Sequence, residues 1–316
     1  MFSGQRDKNR IIISLLIVMG MSGAVLFSIG QDRAPEPIDP FQLALTLKSA
    51  REYGRRLERA ALDFVCREEV LELVDLTRDT SQSLIERNPT AANISGERNP
   101  YQRPDIKFNT GQPKKRHQNT YVYDYQMTRQ AEDIRESRVL LERNGKKAKD
   151  RQGAQPTLTY QYAEILLAAA RLLDERYEEY YDYRLVRGDR LKDEEVWILA
   201  VSPRLAMGGY LGGSLWLRRR DCAILKVEWD PSTFGNYQNI LKRAEVYKAR
   251  PRVVSCTEFG VEKNGLLFPS LDLTEEAYVQ GDEDVFLRAR TRVAYTDYRF
   301  FTVETETEFK RRPPGL

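Results

Sequence analysis

Apolar positions recur along this chain with two periods, and the changes of period mark its elements. Leu43, Leu47, Ala50, Leu57, Ala61 and Phe64 fall at helical spacing, which predicts one amphipathic helix packing its stripe on a sheet. Gly54 lies within that stripe and speaks against a coiled-coil pairing. The stretch "FVCREEVLELVDL" then reads as extended. Tyr121, Tyr123, Tyr125 and Met127 alternate with Val122, Asp124 and Gln126, the period of a strand with one apolar face. Ile165, Leu166, Ala169, Leu172 and Leu173 predict a second helix, ahead of the aromatic strand "YEEYYDYRLVRG" and of "EEVWILAVSP". The remainder reads as β.

Turn chemistry sets the expected pairings. Leu215 and Leu217 share one face of a strand, and Ala223, Leu225, Val227 and Trp229 share a face of the next, with Arg219, Arg220 and Asp221 between. A three-residue connection pairs Leu217 with Ala223 and Leu215 with Leu225. Gly208, Gly209, Gly212 and Gly213 precede that strand, so they lack the strand-to-helix setting of a phosphate loop. Asn264 and Gly265 give the strongest two-residue turn signal, which places Val261 opposite Phe268 and Pro269 at an edge or a bulge. A hairpin turning near Tyr298 would set Arg288, Arg290 and Arg292 against Glu308, Glu306 and Glu304 on a wet face.

Three segments interrupt the pattern. The linker "QDRAPEPIDP" carries three prolines. From Arg87 to Asn119 the chain is polar and holds Pro89, Pro100, Pro104 and Pro113, too long for an ordinary connection, and reads as a mobile surface excursion with Lys114, Lys115 and Arg116 as solvated charge. A second polar loop, "NGKKAKDRQGAQPT", begins at Asn144. The expected organisation is residues 1–30 as signal peptide or anchor, 31–42 as linker, and 43–316 as one domain with long polar loops near 87–119 and 144–158.

Composition narrows the function classes. With 316 residues and 41% apolar content the chain can build a sizeable core. Fifty basic residues against 47 acidic ones leave a formal charge of +3, so no field points to nucleic acid, and no nucleic acid partner is expected. Arg6, Lys8 and Arg10 precede an uncharged run from Ile11 to Gly30 that inserts in a membrane. It is either a cleaved signal peptide, with Ser28 and Gly30 at the cleavage site, or an uncleaved inner-membrane anchor over residues 11–29. Both alternatives export everything after Gln31 to a periplasmic or other extracytoplasmic space. No cysteine lies in or just after the run, so a lipid-modified N-terminal cysteine is excluded.

Candidate chemistry is sparse. In an oxidising compartment Cys66, Cys222 and Cys256 would form one disulfide and leave one thiol, with the pairing open. There is no CxxC pair and only one histidine, so no zinc site is recognisable, and His117 in "KKRHQN" reads as a solvated loop residue. No nucleophile with a base stands at diagnostic spacing, and adjacent acids such as Glu68 with Glu69, or Glu178 with Glu179, would point to opposite faces of a strand. No catalytic residue, metal or cofactor is assigned.

With the order of helix, antiparallel sheet, internal helix and more sheet laid out, the chain resembles the LolA/LolB-like periplasmic lipoprotein-localisation fold. The residues that carry the resemblance are "YYDYRLVRGDRLKDEEVWILAVSP" from Tyr180, "GSLWLRRRDCAILKVEWD" from Gly213 and "VAYTDYRFF" from Val293, within a span from Tyr121 to Phe309. The resemblance implies an α+β, mainly antiparallel fold: an incomplete β half-barrel with covering helices, whose concave apolar face holds acyl chains. Tyr123, Tyr125, Leu215, Leu217, Leu225, Val227 and Trp229 are the candidate lining residues. It further implies a noncatalytic cell-envelope protein that binds a lipid or lipoprotein acyl chain. The long loops and the N-terminal membrane segment fit a tethered role better than a shuttling carrier. The alternative is an interaction module with a filled interior, its partner another envelope protein.

Overall fold

The computed structural model describes residues 40–79, 116–130, 133–149, 163–205, 210–235, 237–282 and 284–301. The membrane segment expected at 11–30, most of both expected polar loops and the Glu304, Glu306 and Glu308 face lie outside them. Among the described residues no helix is long and apolar enough to cross a membrane.

Helix α1 (Pro40–Arg59) begins inside the stretch read as linker, with Pro40 at a position where a missing backbone N–H costs nothing. It buries Ala50, Tyr53 and Leu57. The stripe expected to continue to Phe64 breaks earlier: Ala61 lies in a 3₁₀ turn (Ala60–Leu62), and Phe64 opens β1 (Phe64–Asp75). There follow β2 (Arg116–Gln130), β3 (Asp133–Arg143), β4 (Lys146–Lys147) and α2 (Ile165–Arg171). The chain continues with β5 (Tyr181–Leu191), β6 (Glu194–Pro203), β7 (Gly213–Arg218), β8 (Ile224–Trp229) and α3 (Tyr237–Tyr247), and closes with β9 (Arg250–Lys263), β10 (Leu266–Gln280) and β11 (Asp284–Phe300). Residues 177–180, read as the start of an aromatic strand, belong to a 3₁₀ turn (Glu175–Tyr180) capped by Asp174, whose carboxylate accepts from the Arg176 N–H.

All eleven strands form one antiparallel, unclosed sheet in the order β4-β3-β2-β1-β11-β10-β9-β8-β7-β6-β5, an incomplete barrel with helices against one face. The inner face of β1 carries Phe64, Cys66, Glu68, Val70, Glu72 and Val74, all buried and alternating with more exposed positions. Helices α1 and α2 pack on one part of this inner face and contribute to a single large apolar cluster. Helix α3 covers another part, where Ile240, Ala244 and Tyr247 meet Tyr278.

Several expected pairings hold. Asn264 and Gly265 both have positive φ, 53° and 71°, as a two-residue hairpin turn of matching twist requires, and Phe268 lies opposite Val261. Pro269 sits at a bulge, flanked by register shifts. Other pairings are corrected. Leu215 pairs with Val227 and Leu217 with Ile224, because Leu225 is an extra residue in a bulge and Cys222 takes a left-handed φ of 55° in the turn. No hairpin turns near Tyr298. Strand β11 runs on to Phe300, held by Phe64 opposite Phe300 and by the Tyr298 hydroxyl donating to the Pro269 carbonyl at 2.6 Å. Arg290 therefore pairs with Glu275 of β10, at 2.7 Å, and Arg292 stands opposite Leu273 and Leu71. His117 and Asn119 belong to β2, opposite Val74 and Glu72, rather than to a loop.

All three cysteines are free and buried, which replaces the expected disulfide. Cys66 on β1 and Cys256 on β9 lie three strand steps apart in the sheet order, about 14 Å in the plane of the sheet, beyond the roughly 7 Å a disulfide spans between Cα atoms. Cys222 lies beyond one end of β8, while Cys256 stands opposite Glu228 near the other. Burial raises all three thiols, those of Cys222 and Cys256 to about 11.

Two outcomes follow from this packing. A Cβ on Gly54 would lie 3.3 Å from the Ala170 carbonyl oxygen and 3.7 Å from Leu173 Cβ, so Gly54 sets the approach of α1 to α2. Gly54→Leu should lower stability by about 1 to 3 kcal/mol in urea titrations, with Gly54→Ala much milder. The folded chain should react with a thiol reagent at none of its three cysteines within minutes at pH 8, and with all three in denaturant. Rapid reaction of a folded-state thiol would contradict their burial.

Candidate functional site

Directly paired residues in neighbouring strands share a face, so the register maps the inner surface in rows. One row crosses ten strands: Arg143, Tyr121, Val70, Val293, Asp272, Thr257, Val227, Leu215, Leu199 and Leu185 are linked partner by partner from β3 to β5, the five strands β2, β1, β11, β10 and β9 lying between β3 and β8. Most of it is apolar and buried. Its polar centre is internally satisfied: the Trp229 indole donates to Thr257 Oγ1 at 2.9 Å, and that hydroxyl donates to Asp272 at 2.7 Å.

The expected lining residues fall into two groups. Leu215, Leu217, Val227 and Trp229 come together on β7 and β8. Tyr123 and Tyr125 stand on β2, five strand steps from β8, opposite Glu68 and Cys66. All six are buried in the same apolar cluster, and Leu225, the bulge residue, packs half-buried against it. Burial raises the Tyr123 and Tyr125 hydroxyls well above their ordinary range, helped at Tyr123 by Glu68 and at Tyr125 by Glu136.

The inner face also holds polar groups to which the sequence assigned no place there. Beside the ten-strand row runs a second one, Asn119, Glu72, Thr291, Thr274 and Ser255, across β2, β1, β11, β10 and β9. Asn119 donates to Glu72 at 3.2 Å, and the Thr274 and Ser255 hydroxyls are 3.1 Å apart. On the β3 side, Arg138 grips Glu68 through two bonds of 2.7 and 3.0 Å and Glu136 at 2.7 Å, while the Tyr125 hydroxyl donates to Glu136 at 2.9 Å. Beneath α3, Glu276 accepts from Arg243 at 2.9 Å, from Arg288 at 3.1 Å and from the Tyr278 hydroxyl. Arg288 also binds Asp79 at 2.9 Å, and the Tyr247 hydroxyl donates to the same carboxylate.

Arg288 reaches this network through a bulge. The β10/β11 register shifts between Glu276 and Ala277, so Arg288 is the unpaired residue and turns inward to Glu276, unlike Arg290, which bonds to Glu275. Burial disfavours its charge, but Glu276 and Asp79 hold the guanidinium pKa above its ordinary value. Period-two alternation in β1 could have placed Glu68 and Glu72 on the face of Val70. The inward turn of Arg288 had no such signal.

Among the described residues no group of three or more His, Cys, Asp or Glu side chains is placed to hold a metal ion. The buried carboxylates are engaged by arginines, amides, hydroxyls and aromatic O–H groups, an arrangement that fixes strands and α3 and offers an amphiphile both apolar and polar surface.

No family model matches the chain, and no curated protein does. Solved structures similar to it include a LolA superfamily protein from Nitrosomonas europaea, at 10% identity and a TM-score of 0.36, over 83% of this chain and 94% of that one. A domain named for outer membrane lipoprotein sorting, from Vibrio parahaemolyticus, matches at 10% identity and a TM-score of 0.38, over 82% and 95%. The Pseudomonas aeruginosa MucA/MucB complex matches at 11% identity and a TM-score of 0.21, over 80% and 99%. The likeness is to a LolA-like fold, it is remote, and it bears on fold alone.

The network beneath α3 has a measurable consequence. Arg288→Met leaves Asp79 and part of Glu276 uncompensated, and should cost about 3 to 5 kcal/mol in urea unfolding. A change below about 1 kcal/mol would show that α3 and the sheet do not depend on it.

Proposed function

We propose that this chain is a noncatalytic, extracytoplasmic protein of the cell envelope that holds the acyl chain of a lipid or lipoprotein between its sheet and the covering helices. The observation behind this reading is the unclosed sheet, whose inner face is apolar across most of ten strands and is covered by α1 and α2 rather than by its own closure. Each buried CH₂ of a chain adds about 0.8 kcal/mol, so a long acyl chain brings on the order of ten kcal/mol before ordering costs. Tyr123, Tyr125, Leu215, Leu217, Val227 and Trp229 would line the site, with Leu225 at its margin. The run at 11–29, as anchor or signal peptide, would place the domain at or beyond the inner membrane.

A second reading has one observation in its favour: Leu215, Leu217 and Val227 have no exposed surface. A filled interior would make the domain an interaction module whose partner is another envelope protein. Native mass spectrometry of the full-length protein, released from detergent micelles, separates the two. A bound lipid mass, removable by solvent and lost in Leu217→Trp with the melting curve retained, is the expected result. A bare polypeptide mass that no added lipid shifts would refute lipid binding and favour the filled module.

A further inference from the structure

Among the described residues, the buried side-chain atoms with no hydrogen-bond partner are Arg51 Nε and Nη2, Arg243 Nη2 and Thr291 Oγ1. Arg51 is compensated by Glu178, 3.1 Å from its Nη2. The other two face one patch of the inner surface. Thr291 stands in the polar row between Glu72 and Thr274, and the Thr274 hydroxyl is engaged by Ser255. Arg243 reaches down from α3, and its Nε bonds to Glu276 at 2.9 Å and to the Tyr278 hydroxyl at 3.2 Å, leaving Nη2 over. Glu276 lies two residues beyond Thr274 on the same face of β10, roughly 7 Å along the strand, and opposite Ala289, itself two residues from Thr291.

This patch is the seam between the two apolar clusters. Val70, Val293 and Tyr121, in the adjoining row, belong to the cluster beneath α1 and α2, and Tyr278 belongs to the cluster beneath α3. A buried polar group without a partner costs on the order of 1 to 3 kcal/mol, more when charged, so two at one seam call for an acceptor. Burial and the neighbouring Arg288 charge both lower the Arg243 pKa, so an oxygen acceptor beside it would relieve the guanidinium. Each atom can donate, and an acyl chain by itself gives neither anything to bond.

We propose that Arg243 and Thr291 form the seat for the polar end of a bound diacyl lipid: its ester or phosphodiester oxygens accept from Arg243 Nη2–H and Thr291 Oγ1–H, while an acyl chain runs over Val70, Val293 and Tyr121. This rests on the lipid-binding reading above and adds the ligand's linkage chemistry and its direction in the site.

The test titrates the full-length protein in detergent micelles with dioctanoylglycerol, which offers esters alone, and with dioctanoyl-phosphatidylglycerol, which adds the phosphodiester, reading occupancy by native mass spectrometry. Thr291→Val removes only the hydroxyl and, since that hydroxyl is buried without a partner, should not lower the melting temperature. Arg243→Lys keeps the charge toward Glu276 and removes Nη2. Each should weaken binding about three- to tenfold. A loss for both lipids assigns the seat to the esters, and a loss confined to the phosphatidylglycerol assigns it to the phosphodiester. Unchanged affinities for both lipids in Thr291→Val, with binding otherwise intact, overturn the seat and leave the lipid-binding reading standing. No binding of either lipid by the unaltered protein overturns both.

Discussion

The inner face of a sheet that never meets its own edge has to be buried by something else, and this requirement organises the molecule. The order from β4 to β5 leaves eleven strands with two edges, and the row from Tyr121 to Leu185 carries apolar side chains across most of that width. Helices α1 and α2 act as one cover because Gly54 lets them approach closely. The cover is tied to the sheet at a defined place: the Leu267 N–H of β10 donates to the Tyr53 hydroxyl at 2.8 Å, and Arg56 reaches the Gly265 carbonyl at 3.4 Å. Both ties fall at the two-residue turn between β9 and β10, near the bulge at Pro269, so this turn also fixes where the helices sit.

The second helix-covered region is held by a different force. Beneath α3 the apolar contact is small, and the strongest contacts join Arg243, Arg288, Glu276 and Asp79. Charges buried in this way seldom raise net stability over an apolar substitute, but each becomes costly once its partner is gone. Such a network therefore acts mainly on specificity: α3 has one docking position, and the residues after β1 return to it through Asp79. The polar row through Glu72, Thr291, Thr274 and Ser255 then separates two clusters of different character, one gripped by apolar area and one by charge.

Much of this was legible in the sequence where a local rule sufficed. The helical stripe from Leu43 to Leu57, the alternation in "FVCREEVLELVDL" and the Asn264–Gly265 turn each follow from nearest-neighbour geometry, and each appears in the fold. The failures share a cause. Leu225 and Arg288 are single extra residues in bulges, and one extra residue inverts every facing assignment beyond it. The expected Arg–Glu ladder failed because β11 is a central strand between β1 and β10, so Arg290 has Glu275 as its partner before any later residue can compete. In β10 the rule of apolar side inward is itself reversed: Asp272, Thr274 and Glu276 are buried while Leu271 and Leu273 are partly exposed. Only long-range partners on β9, β11 and α3 make that orientation affordable, and such partners leave no mark at short range.

That reversal bears on what the interior can hold. A core built only for stability would turn Leu271 and Leu273 inward and leave Asp272 and Thr274 to water, avoiding the desolvation of a carboxylate and several hydroxyls. The chain does the opposite on β10, a strand that reaches both clusters. An amphiphile lying between helices and sheet needs an apolar track and a polar stop on the same face. In the reading proposed above, the row through Val70 and Val293 is the first and the adjoining row through Glu72 and Thr291, two residues along each strand, is the second.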